Sequence, residues 1–353
     1  MRCNSLLLFI LTLLLFSLFS ACDANNSKSQ RTILPDSNGA VDEILIVADP
    51  LHLEDSTRKI LSNVFSGPYD VLPQYEPRLI SRFISYNKMT DLLSRFRTIV
   101  IVADLEKKGK ARDFTLENVP QQIIDSGERN FYIKKNAWAE PQLIICLFAN
   151  DQHNLWKAIQ SQGDYLCEVI QKYQEPFLKK ILFAKGHNYE LEKTLREKYH
   201  IKMEIPEEYI LAQEEDDFLW IRRETTVSSE NIMLYFEPYA FEKDIENYGI
   251  PWRNKLGKKY ISTQIDSTYM TTDSILPVMA SIKKINGTEI IENRGLWKVQ
   301  NDFMGGPFLN YLIPDKQRKR LIMMDAFIHA PGEKKRIFMR KAEVIFNSIN
   351  LQN

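Results

Sequence analysis

Apolar positions along the chain change their pattern several times, and each pattern predicts a different structure. Residues 6–19 are apolar except for Thr12 and Ser17. Fourteen helical residues cover about 21 Å, short of the roughly 30 Å hydrocarbon core of a bilayer, so the run predicts a cleaved export signal. Residues 23–42 are mostly polar, with three each of Asn, Ser and Asp, which predicts a flexible tether. Short continuous apolar runs then appear at 43–49, 98–103 and 143–149, the pattern of strands covered on both faces. Between them, Ile60, Leu61, Val64 and Phe65 keep a helical phase behind a possible cap at Asp55 or Ser56. Leu155, Ile159, Leu166, Ile170 and Tyr173 do the same behind Asp151, with Pro176 expected to kink or end that helix.

From Gly186 onward, period-two alternation takes over. Candidate strands lie at 202–205, 209–213, 218–223, 231–237, 268–271, 278–285, 289–300, 308–313 and 319–329, separated by turn signals such as Asn286-Gly287 and Gly305-Gly306. An amphipathic helix at 333–349 closes the chain, with Phe338, Ala342, Ile345, Phe346 and Ile349 on one side. The expected organisation is a signal at 1–21 and a tether at 22–41. An α/β layered domain follows at 42–185, then an antiparallel sheet packed by helices at 186–353. The fold class is α+β with an α/β first part.

Composition narrows the function classes. The full chain balances 46 basic against 46 acidic residues, and Arg2 is the one charge within the signal, so the mature chain carries a formal net charge of −1. A basic excess for nucleic acid is missing, and no nucleic-acid partner is expected. Cys3 leaves with the signal. Cys22 follows the small residues Ser20 and Ala21, the mark of lipoprotein processing, although Phe19 stands where Leu is usual. Cys22 is thus the expected lipid-attachment site and new N-terminus, which makes a membrane the expected partner. Cys146 and Cys167 remain, as buried thiols or as a disulfide that an exported protein permits.

Several blocks carry a resemblance: Trp252-Arg253-Asn254, Tyr269-Met270-Thr271-Thr272, Arg294-Gly295-Leu296-Trp297, Asn301-Asp302-Phe303-Met304-Gly305-Gly306-Pro307-Phe308 and Ala330-Pro331-Gly332. They resemble an uncharacterised domain-of-unknown-function family of Bacteroidota envelope lipoproteins. The likeness implies an envelope location and no particular chemistry; for the anchored chain the outer membrane is expected before the inner. Residues 200–350 are also loosely similar in topology to PsbP-like sandwich domains, with Ile205-Pro206 opening a strand and a crossing helix between strands. That fold mostly serves binding or assembly. Asp-Ser-Thr at 55–57 and 266–268, and Asp-Ser-Ile at 273–275, look like bacterial O-glycosylation acceptors.

Catalytic sets are sparse. None of the five histidines pairs with another at zinc-ligand spacing, and neither a Gly-x-Ser-x-Gly elbow nor a phosphate loop occurs. No catalytic residue, metal or cofactor is therefore assigned. Asp325 and His329 share a strand face at a spacing where a carboxylate can orient an imidazole. Candidate binding residues are Trp252 and Arg253, Arg294 and Trp297, and Asp302 with Gly305 and Gly306. Lys335, Arg336 and Arg340 complete the set, as a basic outer face of the last helix. The expectation is a non-enzymatic envelope module that binds a protein or polymer. The alternatives are a hydrolase or transferase with its site between the two domains, and a small-ligand carrier.

Overall fold

The computed structural model describes residues 33–53, 55–239 and 245–351. Cys22 and the signal lie outside the described residues. From Asp36 onward the chain forms a single compact unit with an α+β fold.

The first sheet contains β1 (Glu43–Ala48), β2 (Ile80–Ser85), β3 (Thr98–Asp104), β4 (Phe131–Lys135) and β5 (Leu143–Ala149) in the order β2-β1-β3-β5-β4. All neighbours are parallel except β4, which runs antiparallel to β5. The continuous apolar runs are explained by double coverage. Ile44, Ile46 and Ala48 face one core, while Leu45 and Val47 face another on the opposite side. Helix α1 (Asp55–Phe65) packs in the first core, while α2 (Asp91–Ser94), α3 (Lys110–Asn118) and α4 (Gln121–Ser126) serve the second. Strand β2 escapes the apolar pattern because it is an edge, with half-exposed and exposed side chains throughout.

Helix α5 (Gln152–Leu182) runs for 31 residues and continues beyond Pro176. The expected end at that proline does not occur. Pro176 sits on the exposed side, and the buried residues continue in phase from Ile170 through Gln174 to Leu178 and Leu182. Packing over that span outweighs the cost of a proline in a helix interior, about 3 kcal/mol for the lost hydrogen bond and the ring clash together. The helix also crosses between cores, since Leu155 to Ile170 pack under the first sheet whereas Leu178 and Leu182 belong to the second half.

After α6 (Tyr189–Tyr199) and the short β6 (Ile201–Lys202), the second sheet has eight strands. These are β7 (Ile210–Glu214), β8 (Phe218–Glu224), β9 (Ser229–Pro238), β10 (Tyr269–Asp273), β11 (Met279–Ile285), β12 (Thr288–Gln300), β13 (Gly305–Asp315) and β14 (Arg320–His329). Their order is β10-β12-β13-β14-β9-β8-β7, with β11 paired to the other half of the β10 edge of β12. Asn286 and Gly287 both take positive φ in the two-residue β11–β12 turn, as that turn requires. One face packs on α6, the end of α5 and α8 (Arg336–Asn347); the other packs on α7 (Ile245–Tyr260). A last strand, β15 (Asn350–Leu351), pairs with β6.

The two halves are tied together by polar contacts. Residues 36–42 are not free tether, because Asn38 bridges to Phe96, and Asp42 is fully buried with its backbone N–H donated to Gln174 Oε1 at 2.5 Å. Helix α8 has no side-chain cap of its own. Glu76, from the loop before β2, accepts the backbone N–H groups of Lys335 at 2.6 Å and Arg336 at 3.1 Å. That carboxylate satisfies orphan donors and opposes the positive end of the helix dipole.

Candidate functional site

A cleft of about 1050 Å³ opens between the halves. One wall is α5, presenting Asp164, Glu168, Lys172 and Glu175; the other is β11, with Met279, Ser281, Lys283 and Lys284. The floor comes from Tyr69, Glu292, Arg294, Arg340 and Glu343. The sequence places these floor residues on three distant segments, and folding joins them into one ionic network.

Arg294 is its centre. Its Nε and Nη2 donate to the two oxygens of Glu292 at 2.8 and 3.2 Å, a two-pronged contact that fixes the guanidinium plane. Its Nη1 lies 2.7 Å from Glu343 Oε1 and donates to the Tyr69 hydroxyl at 2.9 Å. Tyr69 in turn donates to Glu343. Lys283 reaches Glu292 at 2.7 Å from the β11 wall. On the far side Arg340 meets Glu343 at 3.1 Å and Asp42 at 3.6 Å, while Arg336 lies 3.7 Å from Asp42. Cations and anions alternate from Lys283 to Arg336.

The network shifts several of these protonation equilibria. Burial alone raises the Glu343 carboxyl, but Arg294, Arg340 and the Tyr69 hydroxyl outweigh it and hold the group at about 2. Burial and the neighbouring Glu343 push Tyr69 far upward. Glu292 is lowered because Arg294 and Lys283 overcome its burial. Arg294 and Arg340 are both raised, their burial being overcome first by Glu343. Asp42 is the exception, raised because burial exceeds the pull of the two arginines that stand beyond hydrogen-bond reach.

Of the sequence candidates, Arg294 and Arg340 meet in this cleft. Lys335, Arg336 and Arg340 do not form an outer basic face, and that expectation is corrected. All three are buried, because the first half of the chain covers this side of α8: Glu76 accepts the backbone N–H groups of Lys335 and Arg336, Asp42 is the counter-charge of Arg336 and Arg340, and the Lys335 ammonium donates to the Glu333 carbonyl. Arg253 is wholly buried, with Nε donating to Asp325 at 2.7 Å and its guanidinium stacked 3.8 Å from the Phe308 ring. Trp252 is packed against Tyr235 and Tyr248, and Trp297 donates its indole N–H to the Ile328 carbonyl at 3.2 Å. These three are core residues. Asp325 is committed to Arg253 and Asn310, so it is not engaged in orienting His329.

Asp302 bonds the neighbouring Phe303 N–H within a turn whose positive φ is at Asn301. Gly305 and Gly306 are not left-handed; they are needed for close approach. A Cβ would lie 2.7 Å from the Trp297 carbonyl oxygen at Gly305 and 1.9 Å from that of Ile328 at Gly306. Cys146 and Cys167 are free, buried thiols, not a disulfide.

Tyr69, Glu292 and Glu343 carry no local sequence signal of a site. The best available hint is Glu343, the one acidic residue of the helix, spaced three residues from Arg340. A smaller depression of about 310 Å³ lies by the carboxyl ends of β3 and β5, lined by Asp104, Asp151, His153 and Trp156. Among the described residues no group of three or more His, Cys, Asp or Glu is placed to hold a metal ion, and no helix is long and apolar enough to cross a membrane.

Two layers, one mixed and one antiparallel, joined by a helix that serves both cores and a charged cleft, define the class of molecule. Residues 37–182 match a domain of unknown function, DUF8532, and residues 188–348 match a second, DUF4837. No curated protein matches the chain. Among solved structures, the Ran-binding protein Mog1p of Saccharomyces cerevisiae is similar at 11% identity and a TM-score of 0.30, over 43% of this chain and 90% of that one. A STAR-related lipid transfer protein of Xanthomonas axonopodis is similar at 11% identity and a TM-score of 0.22, over 40% and 94%. At that level neither likeness defines the fold or the function of this chain.

Proposed function

We propose that the protein is a lipid-anchored envelope module, held at the outer membrane through Cys22, which binds a partner protein in the cleft and performs no chemistry there. The observation that supports it is the state of the cleft's titratable groups. General acid–base catalysis needs a group poised near the working pH. Here Glu343 is held at about 2, Tyr69 is driven upward, and Glu292 and Arg294 are locked to each other. Such groups recognise charge and hold shape. The same polar floor disfavours carriage of an apolar ligand, which calls for a mostly apolar cavity.

The test is site-specific photocrosslinking in cells. A photoreactive residue at Lys172 or Lys284 should yield a discrete adduct, and the same residue at Lys59 or Lys110 should not. Adducts that form equally at all four positions, or only at Lys59 and Lys110, would remove the cleft as the binding surface.

A further inference from the structure

The β11 wall is an open sheet edge. Its seven residues pair with β12 on one side, and among the described residues no strand pairs with the other side. All but Ile285 are exposed, including the apolar Met279 and Ile282 at 47% and 66%. A row of unpaired backbone donors and acceptors beside exposed apolar side chains is a template for another strand. Edge β7 is less suited, since its register is broken between Leu211 and Gln213.

Charge selects what can be added. Met279, Ser281 and Lys283 lie on the face of β11 that carries Arg294 and Glu292, whereas Ile282 and Lys284 lie on the other. Lys283 and Lys284 disfavour a second basic strand and favour acidic residues directly opposite them. Across the cleft, Asp164 of α5 is already paired with Arg78 at 2.7 Å, but Glu168 and Glu175 stand against the single Lys172 of that helix, which favours a base on the cleft face.

We propose that β11 receives an extended segment of a partner protein as an added antiparallel strand. That segment carries adjacent acidic residues opposite Lys283 and Lys284, an apolar residue opposite Ile282, and a basic residue opposite Ser281. This inference rests on the cleft being the binding surface and specifies how it is used. Backbone hydrogen bonds supply affinity, and the alternating charges set register.

The probe is a fluorescein-labelled peptide, Val-Glu-Glu-Val-Lys-Thr-Val, titrated against the folded mature chain. Strand addition predicts saturable binding and slowed amide exchange across 279–285. N-methylation of the peptide at alternate residues removes several backbone hydrogen bonds and should weaken binding by at least about tenfold. The charge-swapped peptide Val-Lys-Lys-Val-Glu-Thr-Val should bind less well, and Lys284→Glu should narrow that difference. Lys284 is exposed and outside the ionic floor, so the variant should fold.

No binding at millimolar peptide, equal affinity for both charge patterns, or unchanged β11 exchange would overturn strand addition. Binding that protects α5 but not β11 would sink this inference alone, whereas crosslinks confined to sites outside the cleft would sink the broader reading.

Discussion

Arg294 and Glu343 meet at 2.7 Å on the cleft floor, joining strand β12 to helix α8, and the Tyr69 hydroxyl bonds both. Tyr69 belongs to the loop that leads into the first sheet, so three residues connect both halves of the chain. Their mutual neutralisation gives the cleft a fixed electrostatic shape.

The Glu343 carboxyl should make stability depend on pH in the acid range. Its folded value, about 2, lies below its ordinary 4.5. The ionised form is therefore the stabilising one, with its contribution complete above roughly pH 5 and lost as the pH falls toward 2. A shift of that size corresponds to about 3 kcal/mol. Urea midpoints measured between pH 6 and pH 2.5 should fall steeply for the native chain and less steeply for Glu343→Gln. Identical slopes would remove Glu343 as the responsible group.

Arg253 and Asp325 should behave as a pair. Removing one buried partner strands the other charge, so Arg253→Met should cost about 3–5 kcal/mol. Adding Asp325→Leu should recover much of that loss, because the stranded carboxylate goes with it. Denaturant unfolding of both variants checks this; a double variant no better than the single one would contradict it.

Much of the fold was legible because burial on both faces writes itself into consecutive residues, as at 43–49, 98–103 and 143–149. The Asn286-Gly287 turn was legible because few other residues accept its backbone angles. The cleft was not. Arg336 and Arg340 look like a solvent face in any helical projection of α8, and they become interior only when Glu76 and Asp42 arrive from more than 250 positions away. Pro176 misled in the same way, since local chemistry says stop while two successive cores hold the helix together. Trp252, Arg253 and Trp297 combine groups common at interaction sites, yet the Arg253–Asp325 pair shows that the same groups build a core.

Native Cys146 and Cys167 should resist thiol reagents. Burial pushes both thiols up to about 12, so almost no thiolate exists at pH 8. An aromatic disulfide reagent should label neither in the folded protein and both after denaturation without reductant. Labelling of neither after denaturation would reveal a bond between them.

Replacing Cys22 by Ser should abolish acylation and move the protein from the membrane to the soluble envelope fraction. Intact mass and fractionation read both effects. A Cys22→Ser protein that still carries lipid would remove this residue as the anchor.

The central claim, that the cleft is where a partner binds, is tested most directly by amide exchange on the full mature chain with and without its crosslink-identified partner. The account predicts slowed exchange in two stretches, 164–175 on α5 and 279–294 on β11 and β12, with little change elsewhere. Protection confined to other surfaces, with both cleft walls unchanged, would contradict it.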